Sequence, residues 1–397
     1  KGTASGLVPW KLLTENDFST TPHIADAFGY ALAARKMNGD AMWDLVIGAP
    51  GYETEGHTGA GAVFTYVGSS SGPIPGSMIT ERAANGVPEA EDFFGAAIAM
   101  GSYDGVHSQV AIGAVGEKVG SSKKSTGWVA VLDWIGDSLL ASAQNIAPPS
   151  TTPDGAEFGS ALLTMNYTSG SIDDLVIAAV NDGDGIVRTY RGSSSGLSLD
   201  QTITSPSGRP EFGTALAAGK FRGASRPELA ISSDEDVNDS SYAGAVHLYM
   251  PNASGVFAHE QTLVTGLNEE AQFGLAMAAG DFNNDGNDEL VVGAPGVNQG
   301  GGQFGEVFVF KGAAGGPMSL WGDRVIHPET LPTQNGSFGF AVAIGDFDHA
   351  GSPLRQDMVI GAPFATVGLT QFAGLFDEYK GDGTIPNWIA THTEGGN

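Results

Sequence analysis

Short apolar runs bounded by Gly, Pro, Asn and Asp recur along the chain, and one pattern returns six times. DLVIGAP (44–50), VAIGAV (110–115), DLVIAAV (174–180), ELAISS (228–233), ELVVGAP (289–295) and DMVIGAP (357–363) are too short and too rich in β-branched residues to read as helices. Each follows a Phe-Gly pair at a nearly fixed distance, at Phe28, Phe94, Phe158, Phe212, Phe273 and Phe338. A third strand then opens on Gly: GAVFTYVG (61–68), GWVAVLDW (127–134), GIVRTYRG (185–192), GAVHLYM (244–250), GEVFVFKG (305–312) and GLFDEYKG (374–381). A fourth, more polar segment precedes the next Phe-Gly, as in SGLSLDQTITS (195–205) and SGVFAHEQTLV (254–264).

Four short strands per unit of about 60 residues, joined by turns, predict the blade of a β-propeller. A single blade cannot bury both faces, so the units are expected to close into a ring. The predicted fold is all-β, a propeller of four-stranded antiparallel blades over a single domain, 1–397. The blades fall near 17–85, 86–149, 150–205, 206–265, 266–330 and 331–397. A fourth-strand-like segment precedes the first Phe-Gly (SGLVPWKLLTEN, 5–16) and another follows the last (GTIPNWIATHT, 383–393). Six blades need only one of them. Six is therefore the favoured count, with 5–16 a possible ring-closing strand; seven blades with a degenerate unit is the alternative, and a parallel solenoid is the other architecture with this period.

Composition fits that reading: 59 of the 397 residues are Gly and only 16% are charged, which suits tight turns between strands. The formal charge of −27 repels phosphate backbones and anionic lipid, so nucleic acid and membrane surfaces are not expected partners. Cysteine is absent, which excludes disulfides and thiolate metal sites. No apolar run approaches the ~20 residues of a membrane helix. The chain opens at Lys1 without a signal-peptide pattern, so the expectation is a soluble protein or one whose export signal has been removed.

The alternation of Phe-Gly, an acidic loop and Gly-Ala-Pro resembles the FG-GAP repeat of integrin α-chain head domains and their bacterial relatives, over about residues 10–395. The resemblance implies that each unit is one blade, that calcium loops join first and second strands on the lower face, and that ligands meet the upper face. Integrin heads have seven blades and complete the last with an N-terminal strand. The resemblance also implies an extracellular or cell-surface location and a role in adhesion.

The loop DFNNDGNDE sets oxygen-bearing side chains at positions one, three, five and nine: Asp281, Asn283, Asp285 and Glu289. Asn287 can add its carbonyl at position seven, and Gly286 permits the turn. Hard oxygen donors in this order suit Ca2+. Position twelve, where an EF-hand needs Glu, holds Val292 inside a strand, so the expected site is a strand-loop-strand one. Loop 346–357 keeps Asp346, Asp348 and Asp357 but carries an insertion and Ala350 at position five, making it a weak candidate. In 35–44, Lys36 takes the first ligand place while Asn38, Asp40 and Asp44 remain; in 219–228, Lys220 does so opposite Glu228. These two lysines are expected to substitute for the ion, and both loops to bind no metal.

On the opposite face, SDEDVNDSSY (233–242) offers Asp234, Glu235, Asp236 and Asp239, and 52–60 offers Glu53, Glu55 and His57. Lys118, Lys123 and Lys124 make a basic spot there. Such a face would select a basic or cation-bridged protein or glycan ligand. Catalysis is not expected. The G-x-S-x-G matches at 68–72 and 192–196 lie between predicted strands rather than at a strand-to-helix turn, and the eight histidines include no HExxH pair. The expected function is that of a calcium-stabilised, non-catalytic adhesion or ligand-binding propeller. A lectin with repeated sugar sites, or the docking domain of a larger secreted enzyme, is the alternative.

Overall fold

The computed structural model describes residues 2–3, 6–8, 11–119, 125–168, 170–208, 210–233, 243–267, 270–299, 302–322, 336–347, 356–367, 370–381 and 387–393. Within them the chain is all-β: six four-stranded sheets are blades in a propeller arrangement, and two two-stranded hairpins, Gly2–Thr3 with Gly6–Leu7 and Asn298–Gln299 with Gly302–Gln303, accompany them. Every blade has the strand order 1-2-3-4 with all neighbours antiparallel. Helix among the described residues is limited to three 3-10 turns, Glu15–Phe18, Ile24–Asp26 and Glu81–Ala84. The chain divides into two units, Lys11–Gly213 and Thr214–Asn397 with the N-terminal ten residues.

The first unit holds three blades. Blade 1 comprises Leu32–Arg35, Asp44–Ala49, Ala62–Val67 and Ile74–Ile79. Blade 2 comprises Phe94–Gly101, Ser108–Ala114, Trp128–Ile135 and Ser138–Ile146; blade 3 comprises Phe158–Met165, Asp174–Ala179, Ile186–Arg191 and Ser198–Thr204. Each second strand is almost wholly buried, which is why it reads as an unbroken apolar run rather than an alternating one. Phe94, Phe158 and Phe212 are fully buried, and each donates its N–H to the residue just ahead of a third-strand glycine: Ala60, Thr126 and Asp184. A Cβ on Gly61 would fall 2.2 Å from the Phe94 carbonyl oxygen, and one on Gly48 2.1 Å from that of Gly95. Neighbouring blades therefore meet main chain to main chain, and the repeat keeps Gly where any side chain would hold them apart.

The second unit repeats the scheme. Blade 4 comprises Leu216–Gly219, Glu228–Ser233, Ala245–Pro251 and Phe257–Leu263. Blade 5 comprises Met277–Gly280, Glu289–Ala294, Glu306–Lys311 and Ser319–Leu320; blade 6 comprises Ala341–Gly345, Asp357–Ala362, Leu375–Lys380 and Asn387–Thr393. Phe273 and Phe338 are buried over Gly244 and Gly305, as in the first unit. Blade 6 takes its fourth strand from the segment at 387–393. The expected closing strand over 5–16 does not form among its described residues: Gly6–Leu7 pairs with Gly2–Thr3 in a small hairpin, and 15–18 is a 3-10 turn. The Leu7 N–H donates to the Glu378 carboxylate of blade 6 (3.0 Å to Oε2), which ties this hairpin to a blade that is already complete.

Candidate metal loops and acidic clusters

The hairpin between first and second strands presents, at the first or second residue of the second strand, one polar side chain that folds back on the loop. In blades 1, 3 and 6 it is Asp, and both of its oxygens are engaged by main-chain N–H groups. Asp44 accepts from Met37 (2.8 Å) and Gly68 (2.9 Å), Asp174 from Tyr167 and Gly192 (3.0 Å each), Asp357 from Phe347 (2.9 Å) and Gly381 (3.2 Å). Each of these carboxylates latches the hairpin to the turn after the third strand. In blade 2 the place is taken by Gln109, which accepts from Tyr103 N–H and donates to Asp133. Blades 4 and 5 carry Glu, one methylene longer, and the carboxylate reaches into the loop instead.

In blade 5, Glu289 is fully buried. Its Oε2 accepts from Phe282 N–H (2.9 Å) and its Oε1 from the Asn283 carboxamide (3.0 Å). Burial pushes its pKa up to about 7 against the pull of the Phe282 N–H, and Asp285 and Asp281 add to the rise. The other donors wrap the same turn. Asp281 accepts from the N–H groups of Asp285 and Gly286, Asn283 from that of Asp285, and Asp285 from both the main-chain and side-chain N–H of Asn287. Asp285, although partly desolvated, is held below the usual carboxylate range by Asn287, with help from Asn283 and Lys311, whose ammonium lies 3.8 Å away. Gly286 has φ +86, as the sharp turn requires. Five oxygen-bearing side chains and no nitrogen or sulfur ligand form a donor set that fits a hard cation. Asp281, Asp285 and Glu289 are spread around the turn, each on its own N–H donors, rather than gathered as one tight triad.

Blade 4 has an arginine where blade 5 has loop oxygens. Arg222, 10% exposed, directs its Nε at both oxygens of the fully buried Glu228 (3.3 and 3.1 Å), with Glu260 3.8 Å from the same guanidinium. Sequence spacing pointed to Lys220 for this role. In the structure its side chain is exposed, and it is the Lys220 main chain that pairs with Asp288 of the neighbouring loop, N–H to Oδ2 at 2.7 Å. The first loop place faces solvent and the third faces Glu228, which is why Arg222 and not Lys220 meets the carboxylate. Lys36 of blade 1 is likewise exposed, and Asp44 accepts from main-chain amides instead. Asn38 and Asp40 cap their own turn. In blade 6, Asp348 lies outside the described residues; Asp357 is the buried latch, with Asp346 near it in the chain.

At the opposite ends of the strands, the hairpin tip of blade 1 exposes Glu53, Glu55 and His57. Glu55 is paired with Arg82 through Nε at 2.6 Å. Asp234, Glu235, Asp236 and Asp239 lie outside the described residues, as do Lys123 and Lys124; Lys118 is described and pairs with Glu89. Sequence reasoning missed an exposed aromatic group at this end of blade 6: Phe364 lies edge-on to Phe340 (5.8 Å between centroids) and to Phe372 (6.5 Å). It also missed two sets of acidic or histidine ligand atoms that lie within 4.8 Å of one another, Asp104–His107–Asp133 and Glu81–Asp92–Glu117. Asp104 in the first is already engaged by the Val106 and His107 N–H groups and the His107 ring. The two G-x-S-x-G segments are turns between third and fourth strands.

The blade 5 hairpin has the Phe-Gly start and Gly-Ala-Pro finish of the repeat. Residues 273–310 match the family model of the FG-GAP repeat. The phosphatidylinositol-glycan-specific phospholipase D of Rattus norvegicus is 37% identical over 115 residues, 28% of this chain and 13% of that protein. Integrin alpha-PS3 of Drosophila melanogaster is 31% identical over 160 residues, 39% of this chain and 14% of that one. The matches thus span about one seventh of these relatives. A solved protein structure from Lactobacillus plantarum aligns with 92% of this chain and 87% of its own at a TM-score of 0.52 and 11% identity, a likeness of fold alone. The chain is therefore an FG-GAP-bearing β-propeller that resembles integrin α-chains. No helix among the described residues is long and apolar enough to cross a membrane.

Proposed function

We propose that this chain is a calcium-stabilised, non-catalytic ligand-binding propeller of an extracellular or cell-surface protein, serving adhesion or capture. The observation that carries the reading is the blade 5 loop, where a buried carboxylate, Glu289, is met by one main-chain N–H and one carboxamide, and where Asp281, Asn283 and Asp285 place further oxygens around the same turn. Those residues, with the Asn287 carbonyl, would hold Ca2+. The ion would supply the positive charge that Arg222 supplies in blade 4. Its role is to stiffen the hairpin, so that the loops at the other end of the blades keep a fixed spacing. In the first unit the exposed Glu53, Glu55 and His57 offer acidic contacts suited to a basic or calcium-bridged protein ligand or glycan; in the second unit, taken by itself, the aromatic group around Phe364 offers apolar ones.

Thermal unfolding under calcium titration tests the stabilising half of this proposal. The wild type should melt higher with calcium and Asp285→Ala should lose most of the gain; no shift in either protein removes the metal from the account. A saturable 1:1 complex with one protein partner supports the adhesion reading, whereas glycan binding at several equivalent sites overturns it in favour of a lectin. The likeness to a phospholipase D favours a second reading, a docking propeller within a larger secreted enzyme. In that case the ligand is another domain of the same polypeptide.

A further inference from the structure

We propose that Glu81, Asp92 and Glu117 form a second, separate site for a divalent cation of the calcium type, where blades 1 and 2 meet at the end opposite the first-to-second-strand hairpins. Three segments supply one carboxylate each. Glu81 opens the 3-10 turn after the fourth strand of blade 1, Asp92 stands two residues ahead of Phe94, and Glu117 lies in the turn after the second strand of blade 2. One ligand oxygen from each lies within 4.8 Å of the others. Glu81 and Asp92 are completely buried.

Each of these two side chains is fixed by one oxygen and leaves the second without a donor. Glu81 Oε1 accepts the Trp128 indole N–H (3.0 Å) and Asp92 Oδ2 accepts the Glu89 N–H, whereas Glu81 Oε2, Asp92 Oδ1 and Glu117 Oε2 are buried with no N–H or hydroxyl donor among the described residues, so that only a proton shared between the carboxyls bridges them. The described basic groups nearby are committed elsewhere, Lys118 to Glu89 and Arg82 to Glu55. Three carboxyls at this distance cannot all stay ionised unaided, and buried acceptors without donors are costly, so the cluster must either hold protons or take an added positive charge. An all-oxygen, carboxylate-rich lining selects a hard ion, and three carboxylates with room for carbonyl or water oxygens suit Ca2+. Burial, reinforced by Glu117 and Asp92, pushes Glu81 up to about 9, so without an ion it keeps its proton at neutral pH.

Blade 1 carries an internal control. Glu15 and Asp26 stand 13 and two residues ahead of Phe28, as Glu81 and Asp92 do ahead of Phe94, but the residue matching Glu117 is Tyr52. With two carboxylates and a phenol, that copy lacks the third charge and takes no ion.

Terbium luminescence tests the site, because Trp128 would sit beside the ion and sensitise it. The Asp285→Ala protein serves as background, so that the blade 5 loop does not contribute. Tryptophan excitation should give terbium emission that calcium displaces, and Glu81→Gln or Asp92→Asn should abolish it and weaken calcium binding at this site by about tenfold or more. Trp128→Phe should lose the emission yet still bind calcium by calorimetry. Glu81→Gln keeps the shape and removes an ionisable carboxyl from the buried cluster, so its melting temperature in chelator should equal or exceed the parent's, which separates loss of binding from loss of fold. Emission that is absent, or present but unchanged in Glu81→Gln, overturns the proposal; the cluster then balances its charge with shared protons alone.

Discussion

The hairpins of blades 4 and 5 are the same device with different counter-charges. Both bury a glutamate completely at the head of the second strand, and both turn its carboxylate into the loop. Blade 4 answers with the Arg222 guanidinium, permanently charged and covalently present; blade 5 answers with two neutral donors, the Phe282 N–H and the Asn283 carboxamide, and under the function proposed above a cation from solution completes the balance. A buried anion can thus be neutralised by the chain or by an ion. Only the second choice makes stability depend on the medium.

The largest effect should come from breaking the built-in pair. Arg222→Ala leaves Glu228 buried without its cation and should cost about 3–5 kcal/mol, whether or not calcium is present; replacing both partners by methionine should recover most of the loss. Denaturant unfolding of the two variants with and without calcium measures this, and a calcium-dependent loss would mean that the arginine is not the stand-in. Next comes the ion itself. At a hundredfold excess over Kd, calcium should stabilise the wild type by about 2.7 kcal/mol through blade 5, and Glu289→Gln should remove that gain.

A smaller effect concerns pH. The pKa of Glu289 is raised from 4.5 to about 7, so between those values the folded state holds more proton than the unfolded one. Its contribution is fully present below about pH 4.5 and is lost as pH rises through about 7. Melting temperatures in chelator should fall across that window, and calcium should flatten the fall; a calcium-free curve that rises there contradicts the burial of Glu289. The smallest effect is expected at the exposed lysines. Lys36→Ala and Lys220→Ala should each change stability by less than about 0.5 kcal/mol, because neither ammonium meets the buried carboxylate of its loop.

The repeat made the fold legible. Phe-Gly, the buried second strand and the third-strand Gly mark contacts that recur along the chain, the joint of Phe on Gly at Phe94, Phe158, Phe212, Phe273 and Phe338, so repeated copies of a weak signal revealed strand order and blade content. The loop in blade 5 was legible because its donors are adjacent in sequence. Arg222 was not, since counting ligand places ranks the first position by identity with Asp281, while a hairpin decides by which side chains point inward. Glu81, Asp92 and Glu117 escaped for a different reason: they come from three separate segments, and only the stacking of two blades brings them together. Phe364 and its aromatic neighbours gave no periodic signal because they belong to one blade alone.

The glycine joints carry a last consequence. Where Gly61 meets Phe94 and Gly127 meets Phe158, the surfaces in contact are peptide units, which are identical from one copy to the next. At these joints nothing tells one blade from another, so the choice of neighbour rests on the side chains packed beside them, such as Val46 and Val63 with Ile98 and Met100. Within one unit, exchange of modules should then succeed where those apolar contacts are carried along, leaving the outer loops free to be redecorated.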